Sequence, residues 1–260
     1  MQQLEFKNSV YRTKPEKISL FAKAFPSLLF YSEFLSIVFK SSRKAKKGLF
    51  DNTAWAENSY KVLRALEKKG ATFEITGIEH LQKLDSPCVI IGNHMSMMET
   101  IVMASIVQPI LAVTFIVKQS LLDYPVFKHI MRSRDPIAVT RTNPRQDLVA
   151  VIEGGLERLK KGVSIIVFPQ TTRMLEFDPN QFSTIGVKLA QRANVPIIPL
   201  ALKTDAWGNG KLLKDFGKID PSKKIKFNFG PPISISGKGN EAHEAVKDFI
   251  VSKLKKWESE

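Results

Sequence analysis

The chain has 260 residues, 43% hydrophobic and 25% charged, a balance that excludes bulk disorder and is long enough for one full core. With 39 Lys and Arg against 25 Asp and Glu the formal net charge is +14, so the surface attracts anions, whether nucleic acid, acidic lipid headgroups or a phosphorylated substrate. A single cysteine, Cys88, excludes a disulfide framework within the chain and points to a reducing, cytoplasmic setting.

The first residues lack the basic start and apolar run of a cleavable export signal. Residues 18–39 are dense in Phe and Leu and about long enough to span a bilayer, yet they carry Lys23, Pro26 and Glu33, each costly or disruptive at mid-membrane. The basic run Lys40, Arg43, Lys44, Lys46 and Lys47 follows directly. This pattern predicts an amphipathic helical segment lying in the headgroup layer of an anionic membrane surface, with a core helix and a solvated basic turn as the plainer reading. Residues 52–69 read as an amphipathic helix with Trp55, Tyr60, Val62, Leu63 and Leu66 near one face and Gly70 as its stop.

A strand is predicted over 71–78. From residue 86 short apolar runs alternate with helical patterns: strands at 88–91, 112–117, 137–139, 164–168, 197–202 and 224–229, and helices at 97–107, 124–131, 146–161 and 184–193. A last helix at 241–256 reads as a basic surface element. The alternation argues for an α/β fold, a mixed central sheet covered by helices. Residues 1–70 are read as an N-terminal helical, membrane-interfacial segment and 71–260 as the α/β domain. Cys88 lies in the apolar run 87–91, where an inert buried thiol is expected rather than a nucleophile.

Chemistry-bearing residues collect where strands end. The run from Gly92 through Asn93, His94 and Ser96 to Glu99 spans a strand-to-helix junction. Within one continuous helix His94 and Glu99 would lie about 140° apart, but with His94 ahead of the helix and Glu99 in its first turn they meet. An imidazole held by a carboxylate is a general base. Ser96 and Glu99 also fit a capping box, in which Glu99 serves only the helix start, and both readings stand. No second histidine sits at metal-ligand spacing, since His80, His129 and His243 are scattered, so no metal is expected. A hydrolase built on Ser96 lacks the glycine-flanked nucleophile turn. Arg141 follows the strand at 137–139, and Phe168, Pro169, Gln170, Thr171, Thr172 and Arg173 follow the one at 164–168. Two arginines at neighbouring strand mouths can clamp a phosphate, with Lys118 adding a point charge; singly, each reads more readily as an ordinary surface residue. Met95, Met97, Met98 and Met103 suit core packing first and an acyl channel second.

Taken in order, these blocks resemble the glycerolipid acyltransferase family, which includes 1-acylglycerol-3-phosphate and glycerol-3-phosphate acyltransferases. The resemblance covers residues 73–202. Asn93, His94 and Glu99 match its Asn-His-four-residue-Asp motif, 137–141 its strand-then-arginine motif, 168–173 its Phe-Pro-Glu-Gly-Thr-Arg motif and 195–200 its Val-Pro-Ile-hydrophobic-Pro motif. Lys118 falls where such proteins often carry a lysine. The resemblance implies that His94 deprotonates an acceptor hydroxyl, that Glu99 orients it, and that acyl-CoA or acyl-carrier protein supplies the acyl group. It also implies an acceptor site of Lys118, Arg141, Gln170, Thr171, Thr172 and Arg173, no metal or organic cofactor, and a peripheral or monotopic place on the cytoplasmic face of a membrane. The chain departs from the pattern at Glu99 for Asp, Gln170 for Glu and Thr171 for Gly. A lysophosphatidate-like lysolipid is the first acceptor implied, with a lyso-ornithine lipid, a lipid A precursor or glycerol-3-phosphate as alternatives. The competing class is a non-catalytic basic module that binds membranes. Nucleic acid is not expected, because no recognition motif is present and the aromatics cluster away from most basic residues.

Overall fold

The computed structural model describes residues 2–210 and 213–260. The chain opens with β1 (Tyr11–Arg12), α1 (Leu20–Ala24), α2 (Pro26–Lys46) and α3 (Asn52–Glu67), followed by β2 (Thr72–Thr76) and the single turn α4 (Glu79–Gln82). The central part runs β3 (Val89–Gly92), α5 (Met98–Val107), β4 (Val113–Lys118), α6 (Phe127–Arg132), β5 (Ile137–Val139), α7 (Pro144–Lys160) and β6 (Ser164–Val167). It closes with α8 (Ile185–Ala193), β7 (Ile197–Lys203), β8 (Lys224–Phe229) and α9 (Asn240–Glu258).

Among the described residues eight strands form one mixed sheet in the order β1-β2-β8-β7-β3-β6-β4-β5, antiparallel at β1·β2 and β7·β8 and parallel elsewhere. Buried residues of α2, α3 and α5 form a core with one face of the sheet, and those of α7, α8 and α9 form a second core with the other. Because β3, β6 and β7 are covered on both sides, they are short, almost wholly apolar runs rather than alternating ones. A Cβ on Gly92 would sit 3.0 Å from the Leu200 carbonyl, so glycine lets β3 and β7 approach closely just before the chain turns into Asn93 and His94.

The N-terminal segment differs from the single helix expected at 18–39. Ser19 caps α1 through the Ala22 N–H, Phe25 leaves helical geometry, and Pro26 opens α2 at a position where its missing N–H costs nothing. The helix then runs on through the basic stretch, so Arg43, Lys44 and Lys46 occupy its last turn, where the helix dipole favours cations. Phe30, Phe34 and Val38 are buried, whereas Leu28, Leu35 and Phe39 on another face are exposed. The described residues before 71 thus contribute β1 to the same sheet, and α2 and α3 to the same core, as those that follow. At the other end α9 is more than a surface element: Ala242, His243, Val246 and Ile250 pack it against the sheet. No described helix is long and apolar enough to cross a membrane.

Candidate active site

The site is built outward from the end of β3. Asn93 is 1% exposed and spends its amide on β7, donating Nδ2 to the Leu202 carbonyl (2.9 Å) and accepting the Leu202 N–H (2.8 Å). This pin fixes the turn that carries His94. The His94 N–H donates to Gln170 Oε1 (2.6 Å), and its ring stacks on Phe168 with centroids 4.8 Å apart and planes 10° from parallel.

Helix α5 begins at Met98, which leaves His94 ahead of it and puts Glu99 in the first turn, the arrangement that lets the two meet. His94 Nδ1 lies 2.8 Å from Glu99 Oε1. The carboxylate is fully buried and also accepts the N–H groups of Met95 (2.7 Å) and Ser96 (2.9 Å) on Oε1, and the hydroxyls of Ser96 (2.9 Å) and Thr204 (2.7 Å) on Oε2. Ser96 Oγ in turn accepts the Met98 N–H (3.1 Å). The Glu99 half of the capping box, its bond to the Ser96 N–H, and the histidine–carboxylate pair are therefore parts of one network. A carboxylate beside Nδ1 requires that nitrogen to carry the proton, which leaves the Nε2 lone pair free. Nε2 has no hydrogen-bond partner among the described residues, and His94 lines a cavity.

Burial alone would raise the Glu99 pKa, but the His94 hydrogen bond and charge, Thr204 and the Ser96 N–H together hold it below the ordinary glutamate value. The group is ionised in the native state under conditions where the unfolded chain begins to protonate, so it stabilises the fold at neutral pH. That contribution is lost as the pH falls from the unfolded-state value through the lower native one. Melting followed from pH 7 into the acid range should show a steeper loss of Tm for the wild type than for Glu99→Gln. Parallel curves would contradict an ionised Glu99.

The cavity has a volume of about 190 Å³ and is mainly apolar, lined by Phe34, Ile37 and Val38 of α2, Trp55 and Val62 of α3, Ile101 of α5 and Phe115 of β4, among others. An aromatic row runs from His94 through the cavity lining: His94 on Phe168, Phe168 beside Phe115 at 6.3 Å, and Phe115 beside Trp55 at 6.0 Å. Of the four methionines considered for a channel only Met97 lines it, while Met95, Met98 and Met103 are buried in the core.

Lys118, Arg141 and Arg173 line the same cavity. Arg141 holds a left-handed backbone with φ of 62°, costly for a side chain of this kind, and Asp147 braces it there. Asp147 accepts the N–H groups of Thr140 and Arg141, both at 2.7 Å, and the Thr140 hydroxyl at 3.0 Å. Arg141 Nη1 also donates to the Thr171 carbonyl, and Arg173 pairs with Asp215. The other three expected site residues stand elsewhere. Gln170 is buried with its oxygen on the His94 backbone and its Nε2 without a partner, while Thr171 and Thr172 are exposed and outside the cavity lining. Sequence reasoning missed Thr204, Asp147 and Asp215. Asp147 had a local signal, an acid in the first turn of a helix capped by Asn143; the other two had none. Cys88 is buried, and burial against a weaker hydrogen-bonding pull from Ser164 pushes its thiol up to about 12, leaving it inert at neutral pH.

The family model described as Acyltransferase matches residues 72–203. A 1-acyl-sn-glycerol-3-phosphate acyltransferase of Pseudomonas aeruginosa is 30% identical over 173 residues, covering 66% of this chain and 63% of that protein. A probable enzyme of the same description from Mycoplasma pneumoniae is 29% identical, over 64% of this chain and 63% of its own length. The chain thus spans less than two thirds of these relatives. The crystal structure of the 1-acyl-sn-glycerophosphate acyltransferase from Thermotoga maritima superposes with a TM-score of 0.66, covering 92% of this chain and 98% of that one at 19% identity, which is a likeness of fold. With a family model that matches just over half of its length, the chain belongs to the glycerolipid acyltransferase family.

Proposed function

We propose that this chain transfers a fatty acyl group from the thioester of acyl-CoA or acyl-carrier protein to the hydroxyl of a lysophosphatidate-like lysolipid, giving a phosphatidate-type product. The observation that carries this reading is that the His94–Glu99 pair and three cations, Lys118, Arg141 and Arg173, line one apolar cavity. In the reaction His94 Nε2 takes the hydroxyl proton as the oxygen attacks the thioester carbonyl carbon. The C–S bond then breaks, and the leaving thiolate takes the proton from the imidazolium. Glu99 fixes the tautomer and stabilises the imidazolium, and holding both substrates against the base supplies the rest of the acceleration. An acyl chain in the cavity gains about 0.8 kcal/mol for each buried methylene.

Two features support a phosphorylated acceptor despite the altered motif. Gln170 supports the His94 backbone through an oxygen that a glutamate would also offer, and Thr171 contributes its carbonyl to Arg141. Neither departure lies in the cavity lining. Charge-assisted hydrogen bonds contribute about 1.5–3 kcal/mol each, so lysophosphatidate should exceed monoacylglycerol of the same chain length by at least ~100-fold in kcat/KM. Equal rates on the two acceptors would contradict the phosphate clamp.

Attachment to an anionic membrane, at its cytoplasmic face, is supported by the outward side of α1 and α2. Leu20 (84% exposed) and Phe21 of α1, Phe25 at the junction, and Leu28 and Phe39 of α2 are exposed, and the same two helices carry Lys23, Lys40 and Arg43. Truncation before residue 48 would strip Phe30 and Phe34 from the core, so substitution is the cleaner test. The combination Phe21→Ser, Phe25→Ser and Leu28→Ser should weaken binding to anionic vesicles on the order of 100-fold, with Tm nearly unchanged. Undiminished flotation with vesicles would remove this face as the contact.

A further inference from the structure

We propose that Asp215 is a positioning residue for acceptor recognition, holding the Arg173 guanidinium in the cavity where the acceptor's phosphate binds. The inference rests on the reading of Arg173 as a phosphate ligand. Arg141 and Arg173 share one cavity, and the field of Arg173 adds to burial, against the pull of Asp147, in keeping the Arg141 pKa below its ordinary value. Two like charges lining one cavity repel each other, and a polar tether on each opposes that repulsion.

The Arg141 guanidinium is tethered by Nη1 to the Thr171 carbonyl, while Asp147 holds the Arg141 backbone N–H. Arg173 stands on the long loop between β6 and α8, and its charged partner among the described residues is Asp215, reached through Nη2. Its remaining contacts, from Nη1 to Asn209 Oδ1 and the Lys214 carbonyl, are both at 3.5 Å, the outer limit of a hydrogen bond. Without Asp215, repulsion from Arg141 would drive the guanidinium toward solvent.

Asp215 is itself held from behind. Its carbonyl accepts the Trp207 indole N–H at 3.0 Å, and Trp207 is fully buried, edge-on to Phe30 (4.9 Å) and Phe34 (5.3 Å) of α2. The same loop is tied to α2 twice more, by the Tyr31 hydroxyl donating to the Gly217 carbonyl and by the Ile219 N–H donating to Ser27 Oγ at 3.0 Å. The helix with the exposed apolar face thereby fixes the carboxylate that fixes Arg173. Asp215 engages Nη2 alone, and Nη1 is held only by the two contacts at 3.5 Å, so Nη1 can turn to a phosphate oxygen. That geometry suits an anchor rather than a rival occupant of the phosphate site.

The test is steady-state kinetics of full-length Asp215→Asn, Asp215→Glu, Arg173→Ala and the double variant Arg173→Ala/Asp215→Asn, with lysophosphatidate in mixed micelles and a saturating acyl donor. Asp215→Asn should raise the KM for lysophosphatidate about tenfold with kcat within about twofold, and Asp215→Glu should recover most of the loss. In the Arg173→Ala background the Asn substitution should add nothing. Arg173→Ala with an unchanged acceptor KM would overturn the phosphate reading of Arg173 itself. A raised KM in Arg173→Ala beside a wild-type or lowered KM in Asp215→Asn would overturn the anchoring role alone, as would an Asn effect that persists undiminished without Arg173. Should Asp215→Asn fail to fold, Asp215→Ser is read against the same outcomes.

Discussion

Replacing His94 with alanine is expected to lower kcat on the order of 10³-fold while the protein keeps its fold. The catalytic loss follows from removing Nε2, which has no hydrogen-bond partner among the described residues, on a side chain that lines the cavity. The fold persists because little depends on the ring: it offers one hydrogen bond to Glu99 and a stacking contact with Phe168. Glu99 would still accept two backbone N–H groups and two hydroxyls. A net loss of about 1 kcal/mol, or roughly 2–4 °C in Tm, is the expected scale. Turnover within tenfold of the wild type would rule out His94 as the base, and a protein that melts far below the wild type would show that the ring carries more of the fold than its contacts suggest.

Glu99→Gln comes second in expected effect. The substitution keeps the shape and can present its oxygen to His94 Nδ1 and the two N–H groups, so the tautomer survives. What disappears is the negative charge that stabilises the imidazolium as the proton moves. A fall in kcat of about 100-fold is expected, with the KM for lysophosphatidate little changed because Glu99 lies outside the cation set. The amide nitrogen would meet the Ser96 and Thr204 hydroxyls, which can turn to accept, at a cost of about 1–3 kcal/mol in stability. A kcat equal to that of the wild type would leave Glu99 with only its helix-capping duty.

Much of the scaffold was legible because burial on both faces writes itself into sequence as short apolar runs. The strands at β3, β6 and β7 and the helix starts beside them sit close to where periodicity placed them. The meeting of His94 and Glu99 was also legible, since it depends only on where α5 begins. What failed to show is what depends on distant chain segments. Strand β1 is two residues held by pairing with β2, with no pattern of its own. Thr204 reaches Glu99 across 105 residues and Asp215 reaches Arg173 across 42, and no local spacing announces either contact. Pro26 was visible but read as an obstacle to a membrane span, whereas its effect is to start a second helix. Gln170 stood in a motif that suggested contact with the acceptor, and the backbone of His94 takes its side chain instead.

Whether a proton acceptor, a phosphate clamp and an acyl cavity act in this chain as one site is decided by mass-spectrometric detection of phosphatidate formed from lysophosphatidate by the purified full-length protein, supplied in parallel with a long-chain acyl-CoA and with acyl-carrier protein bearing the same chain. Product is expected with at least one donor, at a rate that depends on enzyme concentration and falls on the order of 10³-fold in the His94→Ala protein. No product from either donor, under conditions where the protein is folded and bound to lipid, would contradict it.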